Sequence, residues 1–261
     1  MAQANPFSLQ GKTALVAGAS RGIGQAVAEG LARAGARTIL AARSSTHLER
    51  IAANLRDEGC QAVPLEMDIS SRKSRMAAAE AAGHVDILIN VAGTNVRKRF
   101  TDFTPEEYER LLNTNLTGIF ELTQAVGKGM IERGRGGKVV MIGSLTSIIG
   151  LPYVTVYTVT KAALAGLTRS LAAEWGQHGI QVNCIAPGFI LTDLNREMWQ
   201  PPHMQEWLRS TQPNPRMGKP EDIAPLTTFL SGSGADYITG QVITVDGGLS
   251  SSCMWPFRPA E

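Results

Sequence analysis

The stretch VAGASRGIG, residues 16–24, decides the fold class. It ends the apolar run 12–17 and leads at once into a helical pattern of apolar side chains at Val27, Leu31 and Ala34. In a strand, turn and helix of this order, the glycines let the backbone approach a pyrophosphate, and free amides at the helix N-terminus meet its charge. A glycine-rich turn without a ligand is the alternative for an isolated pattern, and the flanking strand and helix argue against it.

Short apolar runs alternate with longer amphipathic segments along the rest of the chain, which predicts strand-helix-strand units and a parallel sheet. Seven strands are predicted, near 12–17, 37–42, 62–66, 86–91, 137–142, 180–185 and 241–245. No linker or repeat interrupts the alternation. We therefore expect a single α/β domain over residues 1–261, a Rossmann fold with a doubly wound seven-stranded parallel sheet and helices on both faces.

Two helix starts and a lid are predicted outside the strands. Thr104-Pro105-Glu106-Glu107 combines a capping residue, a proline at the first helical position and a glutamate at the third, and Lys219-Pro220-Glu221-Asp222 marks another start. Residues 193–217 are rich in Met, Trp and Pro, and we expect them to form a mobile lid over the substrate.

Composition limits the partners of the chain. The 261 residues are 43% hydrophobic and 18% charged with 27 glycines, as suits a globular α/β protein. The net charge of +2 comes from interspersed signs, and residues 97–99 form the one local basic cluster, so neither nucleic acid nor a membrane is an expected partner. Without a spanning apolar run or a signal-peptide pattern at the N-terminus, the expected location is the cytoplasm.

Cysteine and histidine spacing gives no reason to expect a disulfide framework or a metal site. The cysteines are odd in number and far apart, and the histidines form no i, i+4 pair: Cys60, Cys184 and Cys253; His47, His84, His178 and His203. We predict no catalytic metal.

Four polar residues form a candidate catalytic set. Tyr157 and Lys161 lie at i and i+4 on a predicted helix, hence on one face, while Ser144 follows the strand predicted at 137–142 and Asn115 falls within the preceding long helix. A tyrosine with a pKa of about 10 is a poor base at neutral pH unless a nearby ammonium favours the phenolate, a role for Lys161. Ser144 would donate a hydrogen bond to the substrate oxygen.

These four residues, together with the G-x-x-x-G-x-G spacing of residues 18–24, resemble the classical short-chain dehydrogenase/reductase family over residues 7–249. The resemblance implies an NAD(P)-dependent oxidoreductase that interconverts a secondary alcohol and a ketone. It implies that Lys161 also binds the nicotinamide ribose and that Asn115 holds a water in a proton relay. It further implies a homotetramer built on helix-pair and C-terminal contacts.

The resemblance also supplies a cofactor-binding set. In it, Asp68 contacts adenine, and the turn after Pro187 holds the nicotinamide carboxamide through backbone and Thr192. In the stretch Asn90-Val91-Ala92-Gly93, Val91 stands where the family has a second asparagine, and we expect no loss of catalysis from this difference. The full set is Gly18, Ser20, Arg21, Gly22, Ile23, Gly24, Arg43, Ser44, Asp68, Ile69, Asn90, Ala92, Gly93, Tyr157, Lys161, Pro187, Gly188, Ile190 and Thr192.

The end of the second strand predicts the phosphate state of the cofactor. An acidic residue there would bind a ribose diol and repel a 2′-phosphate, and this chain has Ala42 instead. Arg43 follows and Arg21 lies in the glycine loop, both suited to a phosphate dianion, with Ser44 as a further donor. Two solvated surface arginines are the alternative. NADP(H) is the preferred cofactor, with NAD(H) left open.

Substrate class rests on local resemblance to gluconate 5-dehydrogenases and related sugar-acid and polyol dehydrogenases, at residues 5–12, 93–98 and 174–175. This resemblance implies that Arg97 binds a substrate carboxylate beside Ser144 and Tyr157. A solvated loop arginine is the alternative. Arg99 stands where the related enzymes commonly have proline, and this difference affects the shape of the loop. The alternative functions are a 3-oxoacyl carrier-protein reductase or broad ketoreductase, and a catalytically silent cofactor-binding subunit.

The C-terminal tail, residues 250–261, carries apolar groups at Met254, Trp255 and Phe257. Such groups favour a partner surface, with a frayed terminus as the alternative.

Overall fold

A computed structural model describes residues 5–193 and 195–254 of the chain. Its centre is one parallel sheet with the strand order β3-β2-β1-β4-β5-β6-β7. The strands are β1 Thr13–Ala17, β2 Arg37–Ala42, β3 Ala62–Glu66, β4 Ile87–Asn90, β5 Gly137–Ile142, β6 Ile180–Pro187 and β7 Val242–Val245. Every predicted strand is therefore present, and the doubly wound order confirms the predicted fold.

Helices cover both faces of the sheet because each central strand is apolar on both sides. Ala14 and Val16 of β1 belong to one core cluster, whereas Leu15 and Ala17 belong to the other, as the two-residue period of a strand requires. The helices are α1 Gly22–Arg33, α2 Ser45–Asp57, α3 Arg72–Ala82, α4 Pro105–Leu112, α5 Gly118–Arg133, α6 Thr155–Trp175, α7 Pro202–Thr211 and α8 Ala224–Ser231. Helices α1, α2 and α8 pack into the first cluster, and α3, α5 and α6 into the second.

Both predicted helix starts are confirmed, and one prediction needs refinement. Thr104 and Glu107 form a capping box at α4, and a 3-10 turn at Pro220–Asp222 precedes α8. Asn115, however, lies in a π-helical turn, Asn113–Thr117, which joins α4 to α5. Across the segment predicted as a lid, the described residues contain a 3-10 turn, Glu197–Trp199, and α7.

Within the described ranges, no helix is long and apolar enough to span a bilayer. Met254 is 46% exposed, whereas the predicted tail residues Trp255 and Phe257 lie outside the described residues.

Candidate active site

The glycine turn after β1 forms a backbone cradle that no larger residue could replace without displacing its neighbours. Gly18 has φ +100°, and a Cβ added there would lie 2.7 Å from the Ala92 nitrogen. A Cβ on Gly24 would lie 2.0 Å from the Gly18 carbonyl oxygen. In the described structure Arg21, at the N-cap of α1, makes no side-chain capping hydrogen bond. The first amides of α1 are thus available to an anion, and the cradle fits a pyrophosphate.

The ends of β2 and β3 lie beside this cradle and carry the predicted adenosine residues. Ala42 ends β2 as a buried side chain, and Arg43 follows as an exposed one. Hydrogen bonds from Ser70 lower the pKa of Asp68 below its usual value, burial opposes them, and the positive charges of Arg43 and Arg75 add to the lowering. Asp68 is therefore an anion at neutral pH, and Arg43 lies close enough to interact with it.

On the other side of the cradle, Gly93, Asn115 and Lys161 meet, although they are far apart in sequence. A Cβ on Gly93 would lie 3.5 Å from Asn115 Oδ1 and 3.6 Å from Lys161 Nζ. The Asn115 amide accepts from the Thr94 N–H and donates to the Thr94 carbonyl, both at 2.8 Å. These bonds fix the π-helical turn to the end of β4.

Ser144, Tyr157 and Lys161 form the centre of the site. Ser144 lies beyond β5 as the cap of a 3-10 turn, where its hydroxyl accepts from the Thr146 N–H at 3.1 Å and is near enough to Tyr157 to lower the pKa of its phenol. One turn apart on α6, the Lys161 Nζ lies 5.6 Å from the centroid of the Tyr157 ring. Lys161 is 3% exposed and donates to the Ile142 carbonyl at 2.7 Å.

Burial dominates the electrostatics of this centre. It raises the pKa of Tyr157, against which the Ser144 hydroxyl and the positive charge of Arg97 act. Burial also lowers the pKa of Lys161 to about 8, with the neighbouring Cys184 opposing the shift. The cation that lowers the pKa of Tyr157 here is Arg97; the predicted effect of Lys161 on the phenolate stays a prediction.

The predicted nicotinamide turn follows β6 and lies against the glycine cradle. Thr192 Cγ2 would be 3.4 Å from a Cβ on Gly22. Asn195 holds the turn, since its amide donates to the Ile190 carbonyl and accepts from the Thr192 N–H, both at 2.8 Å. Gly188 continues the pairing of β6 through a bond from its N–H to the Val245 carbonyl at 3.0 Å.

The loop after β4 presents Arg97 as an exposed side chain. Its neighbour Lys98 is held twice: the Lys98 N–H donates to the Tyr153 carbonyl at 2.9 Å, and its ammonium pairs with Glu107 at 2.6 Å. This loop is thereby tied to both α4 and the segment before α6, which keeps Arg97 near Tyr157.

Beyond β6, Trp199 and Trp207 of the segment predicted as a lid form an aromatic cluster with Phe189, which precedes that segment. Phe189 lies edge-on to Trp199 and Trp207, with ring centroids 5.0 and 5.5 Å away. A cavity of about 280 Å³ adjoins it, lined by Leu191, Arg196, Trp199, Gln200, Gln205, Leu208, Arg209, Pro215 and Met217.

The predicted residues lie along one edge of the sheet, at the carboxyl ends of β1 to β6 or on the helix starts that face them. Arg43 and Asp68 lie on the β2 and β3 side of the cradle, whereas Ser144, Tyr157 and Lys161 lie on the β4 and β5 side. Sequence reasoning missed two residues. Ser147 accepts from the Ser144 N–H at 3.2 Å and donates to the Lys161 carbonyl at 2.8 Å, and Asn195 holds the β6 turn. The S-x-x-S spacing at 144–147 was a usable signal.

Comparison with known proteins gives consistent matches over nearly the whole chain. A family model described as enoyl-(acyl carrier protein) reductase matches residues 18–250. Gluconate 5-dehydrogenase of Gluconobacter oxydans is 37% identical over 256 residues, 97% of this chain and 100% of that protein. A 3-oxoacyl-(acyl-carrier-protein) reductase of Pseudomonas aeruginosa is 41% identical over 250 residues, 94% of this chain and 100% of that protein. The crystal structure of a gluconate 5-dehydrogenase from Burkholderia cenocepacia in complex with NADP and tartrate superimposes with a TM-score of 0.91 at 36% identity, covering 95% of this chain and 98% of that one.

Proposed function

The chain belongs to the short-chain dehydrogenase/reductase family and is an oxidoreductase acting on CH–OH groups; from this premise we propose that it interconverts a secondary alcohol and a ketone on a sugar acid or polyol, using NADP(H). The observation that carries the proposal is that Ser144, Tyr157 and Lys161 converge beside a backbone cradle that fits a pyrophosphate.

A nicotinamide bound in this site would supply or accept the hydride, and the residues of the chain would transfer the proton. Tyr157 gives its phenolic proton to the substrate oxygen during reduction and takes it back during oxidation. Ser144 donates a hydrogen bond to the same oxygen as charge develops there. Lys161, in its ammonium form, would stabilise the tyrosinate and bind the nicotinamide ribose, and Asn115 would hold the relay water.

The preference for NADP(H) rests on charge at the end of β2. Ala42 leaves no carboxylate to repel a 2′-phosphate, and the exposed guanidinium groups of Arg21 and Arg43 and the Ser44 hydroxyl would hold it. The remaining residues of the predicted cofactor set lie at the end of β4, in the turns that follow β1, β4 and β6, or at the start of α1: Ser20, Ile23, Asn90, Ala92 and Ile190. The NADP complex of the Burkholderia relative supports this assignment.

A carboxylate on the substrate would pair with Arg97, which is exposed near Tyr157. Relatives that act on gluconate, and one that is crystallised with tartrate, support this choice. The 41% identity to a 3-oxoacyl-(acyl-carrier-protein) reductase keeps an acyl thioester as the second candidate, since such an enzyme would share the catalytic residues.

A substrate panel tests the function. NADPH oxidation would be followed with 5-keto-gluconate, a neutral ketose of similar length and an acetoacetyl thioester, at matched concentrations. We expect the highest kcat/KM with the keto acid. A thioester preferred over both sugars would replace the substrate proposal, and no turnover of any ketone with NADPH or NADH would favour a cofactor-binding subunit.

We propose, in addition, that residues 1–261 act as one domain with residues 193–217 as its substrate lid, and that four copies assemble as a homotetramer in the cytoplasm. Phe120 on α5 is 46% exposed and Val159 on α6 is 50% exposed, and these apolar side chains support a helix-pair contact.

A further inference from the structure

The loop between β3 and α3, residues 67–71, is held by side chains from several parts of the chain. Asp68 Oδ1 accepts from the Ser70 N–H at 2.9 Å and from the Ser70 hydroxyl at 2.7 Å. Ser74 accepts from the Asp68 N–H at 2.9 Å, and the Asn113 amide donates to the Ser70 carbonyl at 2.9 Å. The loop therefore has a defined shape before any ligand arrives.

Arg75 of α3 supplies the most deeply buried of these contacts. Its residue is 2% exposed, and its Nη1 donates to the Ile69 carbonyl at 3.0 Å. Its Nη2 and Nε both donate to Glu121 Oε2 of α5, at 2.6 and 3.0 Å. One guanidinium thus joins the loop to α3 and α5.

Stability alone is a weak reason for such an arrangement. Desolvation of a buried ion pair cancels much of its attraction, and apolar side chains of similar volume often serve as well. What an apolar residue could not do is hold the Ile69 carbonyl at a set distance. The start of α5 blocks the other side of this carbonyl, because a Cβ on Gly118 would lie 2.4 Å from its oxygen.

We propose that Arg75 is a positioning residue for the adenosine half of the cofactor, acting through the Ile69 carbonyl to hold residues 67–71 in the conformation that receives adenine. The inference rests on the proposed function, in which Asp68 and Ile69 contact the cofactor. Without Arg75 the loop must be ordered at the moment of binding, and that cost weakens affinity. Chemistry at saturating cofactor is unaffected, because the reacting atoms lie on the β4 and β5 side of the cradle.

The test compares Arg75→Met and Arg75→Lys with Arg72→Met. Arg72 is a matched control: it also pairs with Glu121 Oε2, at 3.3 Å, but its side chain is 75% exposed. Dissociation constants would be measured by calorimetry for NADPH, for the adenosine-half probes 2′,5′-ADP and 5′-ADP, and for reduced nicotinamide mononucleotide. Steady-state kcat would be measured at saturating NADPH.

In Arg75→Met we expect the Kd of NADPH and of 2′,5′-ADP to rise together by about tenfold, with kcat and the mononucleotide affinity unchanged. Arg72→Met should match the wild type. Arg75→Lys keeps a charge beside Glu121 but lacks the planar guanidinium, so the Kd of NADPH and of 2′,5′-ADP should also rise. This variant tests the proposal if Arg75→Met does not fold.

Several outcomes would overturn the inference: 2′,5′-ADP bound by both Arg75 variants as by the wild type, an equal loss in Arg72→Met, or a loss confined to kcat. These are distinct from failure of the proposed function. A wild type that binds neither adenosine probe would remove the cofactor assignment together with this inference. A wild type that binds 5′-ADP and 2′,5′-ADP with equal affinity would remove only the phosphate preference. The variants would then be compared by their affinity for 5′-ADP.

Discussion

Tyr157 is the side chain on which proton transfer is proposed to depend. Replacing it with phenylalanine removes the transferable proton but leaves the ring, so we expect turnover to fall by more than about a hundredfold while NADPH affinity stays near that of the wild type. Steady-state assays would measure turnover, and titration with NADPH would measure its affinity. Tyr153→Phe is the matched control, since Tyr153 is 59% exposed and contacts Lys98 through its backbone. Activity above a few per cent in Tyr157→Phe would contradict the assignment.

Lys161 gives the site a pH dependence. Its pKa is lowered to about 8 by burial, so the ammonium is present below that pH and is lost as pH rises through it. Because the ammonium is the form proposed to bind ribose and support Tyr157, kcat/KM for ketone reduction should fall above about pH 8. The measurement is a pH profile of kcat/KM, which reports ionisations of the free enzyme.

Lys161→Arg provides the comparison for that profile. A guanidinium keeps its charge across the range, so the variant, however slow, should lose the decline above about pH 8. If kcat/KM still declines above about pH 8 in the variant, the decline belongs to the ionisation of another group.

Arg97 is proposed to pair with the substrate carboxylate. Arg97→Ala should lower kcat/KM for gluconate by about ten- to a hundredfold, the equivalent of one charged hydrogen bond, and should affect a neutral polyol of similar length far less. Both substrates would be measured at one saturating NADP⁺ concentration. Arg99→Ala, an exposed arginine of the same loop, is the control. Equal losses on both substrates would assign the effect to loop disruption or to the lost influence of Arg97 on the pKa of Tyr157, and no loss on either would leave Arg97 as a solvated side chain.

At the scale of elements, the end of β2 should determine the choice between NADP(H) and NAD(H). Ala42→Asp combined with Arg43→Leu adds a carboxylate for the ribose diol and removes a phosphate partner, so the ratio of kcat/KM for NADPH over NADH should fall by about tenfold or more. Arg50→Leu, on the exposed face of α2, should leave the ratio unchanged. A wild type that already prefers NADH would contradict the phosphate assignment before any substitution.

Elements whose residues follow one period were predictable, whereas those set by tertiary contacts were not. β1 and β2 were read from the sequence to within a residue because their apolar runs face two cores. The π-helical turn around Asn115 was not, since its amide satisfies the Thr94 backbone, a partner remote in sequence. Similarly, β6 runs on to Pro187 because β7 pairs with its last residues.

At the scale of the molecule, the doubly wound topology determines which edge of the sheet holds the site but not the electrostatics of the site. Parallel strands bring the residues after β1 to β6 to one edge, so Asp68 and Tyr157 could be assigned there from sequence. The burial that raises the pKa of Tyr157 and the approach of Arg97 to it depend on loop packing, such as the bond between Lys98 and Tyr153. Spacing along the chain carries no such information.

The outer sides of α5 and α6 offer a surface for the proposed assembly. Their inner sides pack into one core cluster with Ile119 and Leu164, while Phe120 and Val159 remain about half exposed outside. Homo-oligomers commonly associate through two-fold interfaces, in which the same patch meets itself. A charge placed on such a patch therefore faces its own copy, and both repulsion and desolvation oppose association.

Phe120→Glu should consequently reduce the proposed tetramer to dimers or monomers in light scattering coupled to size-exclusion chromatography. Val63→Glu is the matched control, because Val63 is also an exposed apolar residue, 36% accessible, but lies on the edge strand β3. The control should remain tetrameric, and far-ultraviolet circular dichroism would verify that both variants stay folded. A wild type that is monomeric would contradict the tetramer itself, whereas a tetramer that survives Phe120→Glu would move the contact away from this face of α5.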